Sequence, residues 1–524
     1  MSTKPRFAVP NAAAPGRHVL SFLDDEHIAL VQNVTRVLAT PERADAPVLI
    51  RDRDWEDMLF LNGAWSLRPS RSGDGLVAWY ENWRFDVRRA NDTTAQFLET
   101  GGRARFTSPE FSLMETLVAT SADGLHWAKP ERDAPKGGFA RTNVILGDDG
   151  LGNAHAFTAI EDPAVGYRGL FVNEPRHGGG PTVVRSARSA DGIDWRLDAH
   201  DPQFGACGNH LGDVMSLSRD GAGDYLLFTR HPKQVTPRTA FPAARVEGSF
   251  FPPYLRDEGF AANKRRIWLA RSADFAQWSD PVEVLVPRAG VDNLDESFYN
   301  LTHTHNGDLH IGFLTVLHEV ANMTEVRLVT SRDLVTWRPV AGATPFLAPR
   351  GTGWEAGTVN VCSTPIATGD EWWIYYGATP YHHDWWWVGE REGLRTPEAH
   401  LARGEYALGL ARVGAGRLSG LAAGLRRGQV LTNPVPAGRS RIRIDAVTGP
   451  NGRVRAAIVD GSGAARPGLD VDDFHDLPAD ARRATAAWGD ADAVVVPAGS
   501  RMLVELQDAT LYGITFEPAE EISP

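Results

Sequence analysis

SADGLHW at 121–127, SADGIDW at 189–195, SADFAQW at 272–278 and SRDLVTW at 331–337 share one pattern, S-x-D-x-x-x-W. Their starts lie 68, 83 and 59 residues apart, too far for a helical solenoid unit and suited to a four-stranded propeller blade with variable loops. Each follows a short apolar or β-branched run, ETLVAT, TVVRSA, RRIWLA and EVRLVT, so each reads as a strand end entering a hairpin turn. The Ser and Asp oxygens accept turn amides, and the Trp re-enters the next strand to pack on a neighbouring sheet. Asp123, Asp191, Asp274 and Asp333 are therefore read as turn formers.

A further set of strands lies around these turns: GLVAWYENW, YRGLFVNE, DYLLFTRH, DLHIGFLTV and EWWIYYGA. That makes five units, the last completed by YALGLARVGAGRLSGL at 406–421 as strand, Gly-rich turn and strand. From residue 429 onward, RSRIRIDAV, GRVRAAIVD, RRATAAW and RMLVELQDATLYGITFEP alternate apolar and polar residues, as half-buried antiparallel strands do. The expectation is an all-β chain: an extension at 1–44 packing on the propeller, a five-bladed β-propeller at 45–428 and a C-terminal β-sandwich at 429–524. Within the extension, HVLSFLDDEHIALVQNVTRVL reads as a short strand and a helix.

Composition agrees with many short strands. The 524 residues include 16 Trp, 52 Gly and 34 Pro, aromatics and turn formers together. Lys and Arg number 54 against 66 Asp and Glu, a net charge of −12, which argues against a nucleic-acid partner. No window approaches the ~18 consecutive apolar residues of a membrane span, and the N-terminus lacks a secretory apolar run, so a cytoplasmic protein is expected. Cys207 and Cys362 form no disulfide framework or zinc motif and read as buried thiols. No cofactor and no metal are expected: His382-His383-Asp384 lacks ligand spacing, and Gly178-Gly179-Gly180 lacks the Lys that follows in a phosphate loop.

In a propeller the innermost strand of each blade begins at the face to which the loop after the second strand returns. Near the five inner-strand starts lie Glu56, His155, Asp213, Glu296 and Glu355. After the second strands come Trp83, Glu174 with His177, Arg230 with His231, His318 with Glu319, and Tyr381 with His382 and His383. Paired carboxylates, one protonated and one ionised, are the equipment of glycoside hydrolysis, and clustering separates their pKa values. The catalytic candidates are Asp213, Glu296 and Glu355, with Glu56 in support. The substrate-binding candidates are His155, Glu174, Arg230, His231, His318, His382, His383 and Trp386. Acids at strand starts also cap turns, and that reading stands beside the catalytic one. Asp162 and Asp220 fall in turns at the opposite face, and Trp372 and Trp373 read as core. Trp385, Trp386 and Trp387 offer either a flat face to a sugar ring or loop packing against the sandwich.

The SADGLHWAKP and SADGIDW turns, TNVIL at 142–146, GWEAGTVN followed by GDEWWIYYGATPYHH, and the ending DATLYGITF together resemble the propeller glycosidases of glycoside hydrolase families 32, 43 and 68. The resemblance runs nearly end to end, and the last segment is similar to the terminal sandwich strand of family 32. It implies a glycosidase or transglycosidase acting on a terminal furanoside, fructosyl or arabinosyl, of an oligosaccharide. The WMNDP-, RDP- and E-C-P-like motifs of family 32 are absent, so its mechanism does not transfer residue by residue. The competing readings are a non-catalytic carbohydrate-binding propeller and a sialidase-like hydrolase, whose site needs an arginine triad where only Arg230 is well placed.

Overall fold

The computed structural model describes residues 5–10, 16–59, 61, 65–85, 112–136, 138–147, 151–174, 183–209, 211–212, 214–230, 264–288, 290–383, 406–489 and 493–519. These are almost entirely strands and turns, with only short 3-10 turns such as Gly205–Cys207 and Gly353–Glu355. The chain divides into two compact units. One holds residues 1–10, 41–339 and 343–412, and the other 11–40, 340–342 and 413–524.

The larger unit consists of antiparallel sheets taken in chain order. In the first, Met58–Leu59 and Trp65–Pro69 both pair with Leu76–Phe85, which pairs with Ser112–Ser121 and then Val144–Leu146. The second runs Asn153–Asp162, Gly166–Glu174, Val183–Ser189, Trp195–Leu197. The third runs Met215–Arg219, Tyr225–Arg230, Ile267–Ser272, Val282–Leu285. The fourth runs Glu296–Asn306, Leu309–His318, Met323–Ser331, Arg338–Pro339. In the fifth, Thr358–Asn360 and Ile366–Thr368 pair with Glu371–Thr379, followed by Ala407–Gly414 and Glu42–Arg43. A single parallel bridge, Thr324 to Thr358, joins the fourth to the fifth.

Hydrogen bonds link the first strands in a cycle. Ser66 Oγ meets the Ala159 carbonyl at 3.3 Å, Leu217 N donates to Thr158 Oγ1 at 3.1 Å, and Ser218 Oγ meets His303 Nδ1 at 2.8 Å. Thr302 Oγ1 then donates to the Val361 carbonyl at 2.7 Å, and Ser363 Oγ returns to the Leu67 carbonyl at 2.6 Å. Small hydroxyl residues recur in these contacts, joined by the imidazole of His303.

Each S-x-D-x-x-x-W segment forms the turn expected of it. In the second sheet Asp191 Oδ1 accepts the Ile193 and Asp194 amides at 2.9 Å, and the Ser189 hydroxyl accepts Gly192 N at 2.8 Å. The other three turns repeat the Asp contacts. Residue four takes a left-handed backbone in all of them: Gly124, Gly192, Phe275 and Leu334. The last two tolerate the strain because their side chains are buried in the sheets. Asp162 and Asp220 likewise hold turns, and Trp372 and Trp373 are core.

The strands of the smaller unit differ from the expectation. Among the described residues its N-terminal segment contains no helix: His18–Ser21, Ile28–Gln32 and Thr35–Leu38 are strands, pairing with Arg501–Pro518, Gly428–Thr432 and Ser419–Ala423 respectively. Residues 11–40 thus belong with the C-terminal strands, and the division falls at 412/413 ahead of the expected 428/429. The fourth strand of the fifth sheet is accordingly Glu42–Arg43, not a segment near 419–421. The segments RSRIRIDAV and GRVRAAIVD form one bent strand, Gly438–Val459, whose register shifts between Asp445 and Ala446 and again between Thr448 and Arg453. Alternation leaves Ile442, Ile444, Ala446, Val454, Ala456 and Ile458 on its buried face. Cys362 is buried as expected, whereas Cys207 is partly exposed.

Candidate functional site

The end at which first strands begin and second strands finish carries most of the expected site residues. Asp213, His231 and Trp386 lie outside the described residues, as does the side chain of Glu174, the last residue of Gly166–Glu174.

Glu56, Glu296 and Glu355 prove to be interior ion pairs, exposed by 0%, 0% and 1%. Glu56 Oε2 receives Lys129 Nζ at 2.7 Å and the Asp52 amide at 3.0 Å, while Tyr80 donates to Oε1 at 2.7 Å. Glu355 repeats this: Tyr376 donates to Oε2 at 2.8 Å, Arg43 Nη1 lies at 3.0 Å, and Arg350 Nε approaches Oε1 at 3.0 Å. Both follow a Trp, in DWED and GWEA, and both take a tyrosine from the second strand of their sheet. Glu296 faces Arg327 in a bidentate pair of 2.7 and 3.1 Å, with Asn293 Nδ2 donating at 2.7 Å. Burial pushes the Glu296 carboxyl up, but the Arg327 guanidinium outweighs it and holds the group at about 2. All three carboxylates are thus held by cations and by donors of nearby strands and loops.

Arg327 continues to Glu325, which lies 3.5 Å from His318 Nε2, and His318 Nδ1 lies 3.6 Å from Asp295. The Glu325 contact holds the His318 imidazole above its ordinary range against the opposing effect of burial. On the opposite face of the same strand, Ser297 donates to Glu319 at 2.6 Å, and Arg265 Nη1 lies 3.5 Å from that carboxylate. Tyr299 sits where the first-strand register shifts between Phe298 and Asn300. Arg230 lies 4.5 Å and Arg265 5.6 Å from the centre of its ring, and the His383 ring meets it edge-on at 4.7 Å. His383 N donates to the Asn322 carbonyl at 2.7 Å, while His382 Nδ1 lies 3.0 Å from the Ala321 carbonyl. Arg265 and Tyr299 are therefore additions to the expected set.

His155 has the partner that sequence reasoning missed. Glu81, 1% exposed in the second strand of the first sheet, places Oε1 2.7 Å from His155 Nδ1 and accepts the Ala156 amide on Oε2 at 2.9 Å. Trp83 Nε1 also donates to Glu81. The available signal was the carboxylate within the aromatic strand VAWYENW, where a charge needs a buried partner. Glu115, on the neighbouring strand, is also fully buried; desolvation raises its carboxyl, opposed by Arg84 at 2.9 Å.

No family model and no curated protein matches the chain. Among solved structures it is similar to a β-1,2-mannobiose phosphorylase from Listeria innocua, with TM-score 0.43 and 13% identity over 72% of this chain and 98% of that one. A glycosyl hydrolase from Bacteroides ovatus gives TM-score 0.44 and 13% identity over 73% and 96%. A thermostable family-43 glycoside hydrolase gives 0.40 and 9% over 65% and 87%.

Proposed function

We propose that the protein is a glycoside-active enzyme built on a five-bladed β-propeller followed by a β-sandwich, cleaving or transferring a terminal furanoside unit, fructosyl or arabinosyl, of an oligosaccharide. The propeller reading is supported by the cyclic bonding of the first strands. The observations that carry the functional reading are two groups at strand starts, Glu81 with His155 and Trp83 and Tyr299 with Arg230, Arg265 and His383. Such a group of acids, bases and aromatic faces suits proton transfer to a sugar and binding of its hydroxyls. Glu56, Glu296 and Glu355 are assigned to holding strand starts in place. Asp213 keeps its proposed catalytic role on its place in the sequence alone.

The test is a screen of aryl furanosides and small fructo- and arabino-oligosaccharides. Turnover by wild type that falls at least ~100-fold in Asp213→Asn supports the assignment. Binding without turnover would favour a carbohydrate-binding role, and turnover untouched by Asp213→Asn would remove that residue from the site.

A further inference from the structure

We infer that Arg417, Asp445, Asp480 and Tyr512 form a binding site for two neighbouring hydroxyl groups of a carbohydrate, on the unit that holds residues 413–524. Arg417, 7% exposed, anchors the group. Its Nε donates to Asp445 Oδ1 at 2.6 Å and its Nη1 to Asp480 Oδ1 at 2.7 Å. The third guanidinium nitrogen, Nη2, is buried and has no hydrogen-bond partner among the described residues. A buried charged donor without an acceptor is costly, and the planar fork aims this one along the edge that already carries Asp445.

The backbone brings these groups together at one residue. Ile444 and Ala446 face the core, so Asp445 between them stands on the other face of Gly438–Val459. Both neighbouring strands lose register beside it. Against Arg501–Pro518, Asp445 lies opposite Gly513 and Ala446 opposite Leu511, which leaves Tyr512 as the extra residue of a bulge. Against Asp480–Thr485, Ile444 lies opposite Ala484 and Ala446 opposite Ala481, so Arg482 and Arg483 are also set out of register. Bulges re-aim the side chains they carry. The Arg417 guanidinium lies 5.2 Å from the centre of the Tyr512 ring. Burial holds the Tyr512 hydroxyl above its ordinary range, and the charges of Arg417, Asp445 and Asp480 act on it as well.

The balance of charge selects the ligand. Arg482 Nε lies 2.9 Å from Asp480 Oδ2, so two guanidinium groups are set among two carboxylates. An anion approaching Arg417 meets Asp445 and Asp480, and a metal cation approaching the carboxylates meets the guanidinium groups. A neutral hydroxyl meets neither obstacle: it accepts from Arg417 Nη2 and donates to a carboxylate oxygen. Asp480, 51% exposed, offers such an oxygen to solvent, and a hydroxyl on the adjacent carbon has Asp445 and the Tyr512 hydroxyl as partners.

The test uses the full chain labelled with 3-fluorotyrosine, the residue-512 signal being assigned with Tyr512→Phe. Fructotriose or arabinotriose should shift that ¹⁹F signal saturably at millimolar concentrations. Asp480→Asn, at a half-exposed position, should raise the apparent Kd at least ~10-fold, and Arg417→Lys, which keeps the charge but lacks Nη2, should do the same. Inorganic phosphate and calcium chloride should leave the signal in place. A signal that neither sugar moves, or that phosphate or calcium moves instead, would overturn the site. A sugar-induced shift that survives Asp480→Asn with unchanged Kd would overturn its assignment to these residues. The reporter needs no turnover, so failure of this site and failure of the glycoside reading are seen separately.

Discussion

Replacing Glu296 with Gln leaves Arg327 buried without its bidentate partner, which should cost about 3–5 kcal/mol of unfolding free energy. Denaturant titration checks this, and if Glu296 serves only to hold its strand start, the activity of each folded molecule should survive. The same contact sets an acid limit. The folded carboxyl, at about 2, lies below its ordinary value of 4.5. Its stabilisation is therefore complete above pH ~4.5 and is lost as pH falls toward ~2. Urea midpoints between pH 5 and 3 should decline in wild type and decline less in Glu296→Gln. At this scale the sequence marked acids at strand starts but not their state, because such an acid looks the same whether it faces solvent or an arginine two strands away. Glu81 is the converse: its place inside an aromatic strand was visible, whereas its partner lies in another sheet.

The turns show what local pattern can carry. The Asp contacts to turn amides join residues two or three apart, so spacing alone identified them, and Asp123, Asp191, Asp274 and Asp333 do what the pattern implies. Gly124 adds a constraint that local pattern hides: a Cβ there would stand 2.6 Å from the Tyr375 hydroxyl and 2.7 Å from Trp373, at φ +75°. Gly124→Ala should therefore lose about 2–4 kcal/mol, measured by denaturation. The hairpin between Glu296–Asn306 and Leu309–His318 carries a second long-range feature, three histidines on one face. His303 Nε2 lies 3.0 Å from His310 Nδ1, with His305 opposite His310. Burial, His305 and Arg271 hold His310 down at about 4, against Asp220 and Asp308, and burial with His310, His305 and Arg271 holds His303 well below its usual range. Both are neutral in the fold, so stability present above pH ~6.5 is lost as pH falls toward ~4. The thermal midpoint should drop by roughly 3–6 °C between pH 7 and 5, and less in His310→Gln.

Across the whole molecule, the strand content and repeat were legible because they rest on alternation and turn chemistry, while the partners of the N-terminal strands were not. His18–Ser21 pairs with residues near 515, a distance over which local pattern carries no information. One side chain ties the larger unit together: Arg68, 3% exposed, donates to the Leu217 carbonyl at 2.7 Å and to Ser363 at 2.8 Å, joining the first, third and fifth sheets. Arg68→Met keeps much of the volume but leaves those oxygens without their donor, and should cost about 2–4 kcal/mol by denaturation. The claim on which everything functional depends is that a sugar binds at the end of the sheets where first strands begin. A crystal of the protein soaked with the oligosaccharide found in the screen measures this directly. The account predicts sugar density at that end, in contact with Tyr299 or the residues around it. Density confined to the opposite end of the sheets, or to the unit formed by residues 413–524, would contradict it.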